Sequence, residues 1–325
     1  MTVTISDPMP DLSGKRCLVL GAGGFIGSHL CDGLSAVGAT VRAFGHPPRF
    51  APARMPDDWI ACDASDRDAL GRAIAGADLV FHLLGSADPS ASNQHPSRDL
   101  LQAIATDSAV VDLCVSHGVG RLIFVSSGGT VYGPARHLPI GEDHPTDPTS
   151  AYGIAKLATE KYLQLRHQLD GLDHVILRVA NPYGPLQDPH RGQGVIPKLL
   201  YRAMRDEQID IWGDGSAVRD YIYISDLVQA LLQAATATLP HRIFNIGSGI
   251  GRSLTTILSM AETVLNHPVR RVYIPSASAI IQANVLDCSR AHDALGWNSV
   301  VDWSDGVVRT VAWIADQYDI PIDRR

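Results

Sequence analysis

From Lys15 onward, short runs of apolar and β-branched residues alternate with longer stretches in which apolar positions return every three or four residues. The runs CLVL (17–20), TVRAF (40–44), WIACD (59–63), DLVFHLL (78–84), RLIFVSS (121–127) and HVILRVA (174–180) read as strands. Their apolar residues run on without alternating, the pattern of strands covered on both faces. FIGSHLCDGLSAVG follows the first run and predicts a helix with Phe25, Ile26, Leu30, Leu34 and Val37 on one face. Helical spacing also marks 66–75, 97–117 and 150–169. Strand–helix alternation of this kind predicts an α/β fold, a doubly wound parallel sheet of the Rossmann type. After Ala180 the elements shorten and Gly and Pro become more frequent, with helices expected at 194–206, 225–236 and 253–265 and strands at 208–212 and 242–246.

Composition narrows the classes. Of 325 residues, 45% are hydrophobic and 19% charged, enough apolar surface for a sizeable core. The net charge is −7 and no Lys/Arg run occurs, which argues against a nucleic-acid partner. Cys17, Cys31, Cys62, Cys114 and Cys288 are scattered without C-x-x-C spacing, so neither a disulfide framework nor a metal site is expected. The first residues lack the apolar core of a signal peptide, and no apolar run approaches the ~18 residues of a membrane span. A cytoplasmic protein without a membrane partner is expected.

Chemistry enters at LVLGAGGFIGSHL. Gly21, Gly24 and Gly27 form G-x-x-G-x-x-G, with Gly23 as a fourth glycine, between a strand and a helix. Glycines here permit a tight turn and close approach of the backbone to a pyrophosphate. The open N–H groups at the start of the helix, from Phe25 and Ile26, then face the anion. Residues 1–180 are accordingly expected to form a dinucleotide-binding domain. Residues 181–325 are expected to be mainly a smaller substrate-binding lobe, with some segments returning to the first domain. An acidic residue that would grip the ribose of NAD is missing after TVRAF, where Gly45 and His46 stand. Arg42 or Arg49 is therefore a candidate for a 2′-phosphate, which keeps NADP beside NAD, although ordinary surface charge is the better reading of both. Asp63 could accept from the adenine amino group; the competing role is a helix cap, which Ser65 or Asp66 could equally fill.

TSAYGIAKLATEKYL contains Y-x-x-x-K at Tyr152 and Lys156. Four residues apart in a helix, the two side chains share a face. The ammonium and an oxidised nicotinamide are expected to pull the phenol below its usual ~10, toward a working base. A phenolate can take a proton from a hydroxyl while hydride leaves the same carbon.

Together, GAGGFIGSHL, VFHL, FVSSGGTVYG, AYGIAK, ILRVANPYGP, VIPKLL, IWGDGSAVRDYIYISDLVQAL, FNIGSG and DCSRAHDALGW resemble the NAD-dependent NDP-sugar epimerases and dehydratases of the extended short-chain dehydrogenase/reductase family, UDP-glucose 4-epimerase among them. The resemblance runs from about Lys15 to the last helix. It implies that Leu83 and Leu84 line the dinucleotide and that Val179 and Ala180 lie near the nicotinamide. It further implies that Asn181 touches the diphosphate or sugar, and that Arg219, with Tyr221 beside it, pairs with the substrate phosphates; a salt bridge from Arg219 to Asp220 or Asp226 is the alternative. His82 reads as a core histidine. A homodimer through the helices at 97–117 and 150–169 is implied as well.

Four positions depart from that family. Gly128 replaces the Ser or Thr that bonds the reacting hydroxyl, a task left to Ser127 or Thr130, with Thr130 preferred. Gly45 replaces the acid, and Ala103 replaces an Asn. Ala277 stands where an Arg helps to hold the diphosphate; Arg270 or Arg271 is expected to compensate, unless the substrate departs from a standard nucleotide sugar. A dehydratase carries acidic residues just before V-Y-G, where this chain has Gly129 and Thr130. A nucleotide-sugar 4-epimerase working through a transient 4-keto sugar is the reading that remains. An NAD(P)H-dependent ketoreductase and a dehydratase are the alternatives, and a non-catalytic dinucleotide-sensing protein is the remote one.

Overall fold

The computed structural model describes residues 9–56, 58–85, 95–238, 240–275 and 281–321. Its strands are β1 (Arg16–Leu20), β2 (Thr40–Phe44), β3 (Asp58–Ile60), β4 (Leu79–His82), β5 (Arg121–Ser127), β6 (His174–Val179), β7 (Asn181–Tyr183), β8 (Ile209–Trp212), β9 (Val218–Tyr223), β10 (Ile243–Ile246), β11 (Gly251–Ser253), β12 (Arg271–Ile274) and β13 (Ala283–Asn284). Its helices are α1 (Phe25–Ala36), α2 (Arg67–Ile74), α3 (Pro96–Ser116), α4 (Ala151–Asp170), α5 (Val195–Met204), α6 (Ile224–Thr236), α7 (Leu254–Leu265), α8 (Ser289–Leu295) and α9 (Trp303–Gln317).

Seven strands form one sheet in the order β10-β6-β5-β4-β1-β2-β3. Every neighbouring pair in it is parallel. The sheet is covered on both sides, as the unbroken apolar runs require. Along β1, Cys17 and Val19 join one core with Leu30 and Leu34 of α1 and Leu227 and Leu231 of α6. Leu18 and Leu20 join the other, with Leu70 of α2, Val110 of α3 and Leu163 of α4. Each such leucine contributes roughly 1.5–3 kcal/mol on burial. Gly33 lets α1 close on α6, since a Cβ there would stand 2.7 Å from Val228 Cγ1. Among the described residues, no helix is long and apolar enough to cross a membrane.

The run WIACD is strand only as far as Ile60. Beyond it the chain turns: Asp63 Oδ1 accepts from the Ser65 amide, and Asp66 caps α2 through the Ala69 amide. After β6 the chain leaves the large sheet. β9 pairs antiparallel with β11 and parallel with β7 and β13, while β8 and β12 form a separate parallel ribbon. β10 then comes back to the edge of the large sheet beside β6.

Candidate active site

The glycine turn between β1 and α1 is the first part of the site. Gly21 adopts φ +87°, which favours glycine. A Cβ on Gly23 would meet the His46 carbonyl oxygen at 1.9 Å, and one on Gly27 the Gly21 carbonyl oxygen at 2.2 Å. α1 begins with no side-chain cap and no acidic residue in its first turn, so the amides of Phe25 and Ile26 are left for another acceptor. That combination fits a dinucleotide pyrophosphate.

Gly45 has φ +123°, so the missing acid reflects the backbone itself: an Asp at this position would be strained. The arginines weighed for a 2′-phosphate are engaged elsewhere. Arg42 donates through Nε to Asp58 Oδ2 at 2.6 Å and through Nη1 to the Ala73 and Ala75 carbonyls. Arg49 Nη1 lies 2.7 Å from Asp188 Oδ2. Asp63 is exposed in its turn, with Oδ2 3.8 Å from His46 Nε2. Its pKa is held down by the Ser65 hydrogen bonds, so the carboxylate is ionised and open to an adenine amino group.

The candidate catalytic pair, Tyr152 and Lys156, is carried by α4, which Ser150 caps through the Gly153 amide at 3.1 Å. Farther along the same helix Glu160, fully buried, holds Arg178 of β6 at 2.6 Å and accepts from Ser126 of β5 at 2.5 Å. These bonds fix the helix against the C-terminal half of the sheet. Lys156 is buried, donates to the Leu84 carbonyl at 3.0 Å, and lies 4.6 Å from the ring centroid of Phe124 and 5.9 Å from that of Tyr152. Burial lowers its pKa while Asp107 and Glu160 oppose the shift.

The expected drop in the Tyr152 pKa is not found. Burial first and the Asp107 carboxylate second push the phenol up to about 12. Burial is the larger of the two causes, and Asp107, reaching the phenol from another helix, adds to it. Burial alone would raise its own pKa, but His82 (Nε2 3.1 Å from Oδ1), Lys156 and the Thr159 hydroxyl (2.8 Å from Oδ2) outweigh that and keep it charged. His82 is thus the core histidine expected, though with a carboxylate partner. Ala103 leaves a cavity of about 10 Å³ bounded by Gly85, Asp99, Asp107, Tyr152 and Lys156. That is space for a single water.

Gly128 is glycine for a packing reason. A Cβ there would stand 2.6 Å from Leu286 Cδ1, so Leu286 packs where a side chain at 128 would begin. Of the two substitutes, Thr130 has a buried hydroxyl without a hydrogen-bond partner among the described residues, whereas Ser127 is part-exposed at the end of β5. Leu83 follows β4, its backbone 3.3 Å from where a Cβ on Gly21 would lie, and Val179 is the buried last residue of β6.

On the small sheet, Asn181 Nδ2 donates to the Asp220 carbonyl at 2.8 Å, and Asn181 stands in register with Tyr221. Arg219 makes neither of the salt bridges weighed for it. Asp220 is consumed by Ser248 and the amides of Gly249 and Leu286, and Asp226 by Ser299 and the amides of Val300 and Val301. Arg219 donates to its neighbour's carbonyl, Val218 O, at 2.8 Å. Burial lowers its pKa, opposed by Tyr221. Tyr221 itself is pushed up to about 12 by burial.

Ala277 lies outside the described residues. Neither proposed replacement faces this sheet: Arg270 pairs with Asp206 at 3.9 Å and Arg271 with Glu262 at 3.3 Å, both beside the β8–β12 ribbon. Sequence reading missed Arg252, Asn284 and Trp303. In register with Arg219 stand Arg252 of β11 and Asn284 of β13. Asn284 Nδ2 donates to the Gly128 carbonyl at 3.1 Å, and its buried Oδ1 has no partner among the described residues. Only strand pairing brings these residues together, and no spacing along the chain signals it. Among the described residues, no group of three or more His, Cys, Asp or Glu side chains is arranged to hold a metal.

Residues 17–247 match the model of the NAD dependent epimerase/dehydratase family. UDP-glucose 4-epimerase of Mycolicibacterium smegmatis is 31% identical over 310 residues, 93% of this chain and 99% of the relative. dTDP-4-dehydro-6-deoxyglucose reductase of Escherichia coli is 35% identical over 233 residues, 71% and 73% of the two chains. Among solved structures, UDP-glucose 4-epimerase of Thermotoga maritima with UDP-glucose superposes with a TM-score of 0.88 at 31% identity, covering 93% of this chain and 99% of the other.

Proposed function

Because the chain belongs to the NAD dependent epimerase/dehydratase family, an enzyme family whose cofactor is NAD, we propose that it is a nucleotide-sugar 4-epimerase. The observation that carries this reading is the placement of Tyr152 and Lys156 on one helix face, beside Leu84, just past the C-terminal end of β4, and Phe124 of β5, which is in register with the last residue of β4. Crossover ligands of doubly wound sheets bind at those ends.

Gly21, Gly24 and Gly27, with the amides of Phe25 and Ile26, hold the pyrophosphate; Asp63, Leu83, Leu84 and Val179 line the rest of the dinucleotide. The chemistry supplied by bound NAD is reversible hydride transfer at C4 of the sugar, through a transient 4-keto form. Tyr152 takes the C4 hydroxyl proton and later returns it. Lys156 holds positive charge beside the phenol, and positive charge from the oxidised cofactor acts in the same sense, against the rise imposed by burial and Asp107. The unpartnered Thr130 hydroxyl, assisted by Ser127, bonds the reacting oxygen. Asn181, Arg219 and Tyr221 hold the diphosphate end of the substrate. Relatives whose names specify UDP-glucose 4-epimerase support a nucleotide-linked hexose as substrate class.

A ketoreductase is the second reading, favoured by two observations. The phenol sits at about 12, so Tyr152 is protonated and ready to donate. The relative named as a dTDP-4-dehydro-6-deoxyglucose reductase shares the higher identity, over a shorter span. The test is to incubate the protein with UDP-, dTDP- and GDP-hexoses and catalytic NAD, following the sugars by NMR. Interconversion of C4 epimers with no net change in NADH supports the epimerase. Stoichiometric consumption of NADH or NADPH with 4-keto sugars replaces it by the reductase.

A further inference from the structure

We infer that Arg252 is a second anion-binding side chain, which forms with Arg219 a two-guanidinium clamp for the substrate's diphosphate. This rests on the reading of the site as one for nucleotide sugars. Arg219 and Arg252 face each other in register across the antiparallel pair β9–β11. Directly opposed like charges destabilise a sheet unless something between them carries the opposite charge. No carboxylate plays that part: neither arginine has an acidic partner within ion-pair distance among the described residues, and the nearby carboxylates of Asp220 and Asp226 accept from other groups. Each spends one Nη1 donor on a nearby backbone carbonyl, Arg219 on Val218 at 2.8 Å and Arg252 on Ile250, just before β11, at 3.3 Å. With about five N–H donors per guanidinium, about four per group are left over.

Both side chains are half-buried, so these donors are not simply dispersed into water. Arg252 is also oriented. Its Cζ lies 4.6 Å from the ring centroid of Trp303, at the start of α9, a cation–π arrangement that limits where the fork can point. The Trp303 indole N–H is buried without an acceptor among the described residues, a further donor in the same place. On the other flank of Arg219, Asn284 reaches the Gly128 carbonyl just beyond β5. This flank of the small sheet therefore abuts the catalytic strand. Two planar forks held on neighbouring strands match the oxygens of a diphosphate, which accepts bidentate hydrogen bonds from each. Arg270 and Arg271, paired with Asp206 and Glu262, do not supply this charge.

The test is calorimetric titration of the full chain with UDP, dTDP and inorganic pyrophosphate, for the parent protein, Arg252→Gln and Arg252→Lys, with NAD titrated in parallel. The expected result is a tenfold to hundredfold weaker affinity for the diphosphates in Arg252→Gln, the scale of one charged hydrogen-bonding group, and unchanged affinity for NAD. Arg252→Lys, which keeps the charge without the fork, is expected to fall between and guards against a misfolded Gln variant. Parent-like diphosphate binding in both variants overturns the clamp while leaving the epimerase reading in place. A parent protein that binds none of the three diphosphates overturns both. Diphosphate binding that weakens in Arg252→Gln, without turnover of any hexose nucleotide, keeps the clamp and removes the epimerase.

Discussion

At the scale of single residues, the site is set by what surrounds Tyr152. Burial and Asp107 push its phenol up to about 12; under the proposed function, the Lys156 ammonium and an oxidised nicotinamide would act against that rise. Replacing Tyr152 with Phe removes the proton acceptor and leaves the cradle intact. Turnover is expected to fall at least ~100-fold, the lower end of acid–base contributions, with NAD affinity nearly unchanged. Steady-state rates and NAD titration of the variant check this, and parent-like turnover would take Tyr152 out of the mechanism. Gly128 carries no hydroxyl, so the assignment of a substitute can also be measured. Thr130→Val is expected to cost more activity than Ser127→Ala, because the Thr130 hydroxyl is buried and uncommitted. The opposite ranking of kcat values reassigns the role to Ser127.

At the scale of elements, the strands and helices were legible because their patterning is local. β5 runs Arg121–Ser127 as its apolar run predicts, and α4 occupies Ala151–Asp170, one residue from its expected span. Gly21, Gly24, Gly27, Tyr152 and Lys156 were legible for the same reason: the spacing of each set is a property of one turn or one helix. Asp107 and Arg252 were not. Asp107 reaches His82 and Lys156 from a different helix, and Arg252 meets Arg219 only through strand register, contacts that 25 to 50 residues of intervening chain conceal. Partner choice hid the roles of Arg42, Arg270 and Arg271 in the same way.

His174, at the start of β6, gives this scale a measurable consequence. Burial pushes its imidazole down from 6.5 to about 4, and its Nε2 is buried without a partner among the described residues. The unfolded chain therefore takes up the proton first. The stability tied to the neutral ring is complete above pH ~6.5 and is lost as pH falls toward 4, at most about 3 kcal/mol. Thermal melts between pH 7 and 4 should show a midpoint that falls less steeply in His174→Gln than in the parent, and equal slopes would reject the assignment.

At the scale of the whole molecule, the helix pair α3–α4 has two unlike sides. One packs on the sheet through Val110 and Leu163, and the other carries Leu101 and Leu169, each 68% exposed, together with exposed Ile154 and Leu165. Ile154, Leu165 and Leu169 lie at i, i+11 and i+15, so they share one face of α4. The homodimer that the family resemblance implies is expected to form on this side, where an isologous pairing would set each leucine against the same surface of its partner. Covering one exposed leucine contributes roughly 1.5–3 kcal/mol, so a pair of charged substitutions is enough to dissociate such a dimer. Sedimentation of the parent protein at micromolar concentration should give twice the chain mass, and Ile154→Glu with Leu169→Glu should give the chain mass. Tyr152 and Lys156 occupy the opposite, buried side of the same helix, so the dissociated variant should still bind NAD. A parent protein that sediments as a monomer leaves this face without the partner assigned to it.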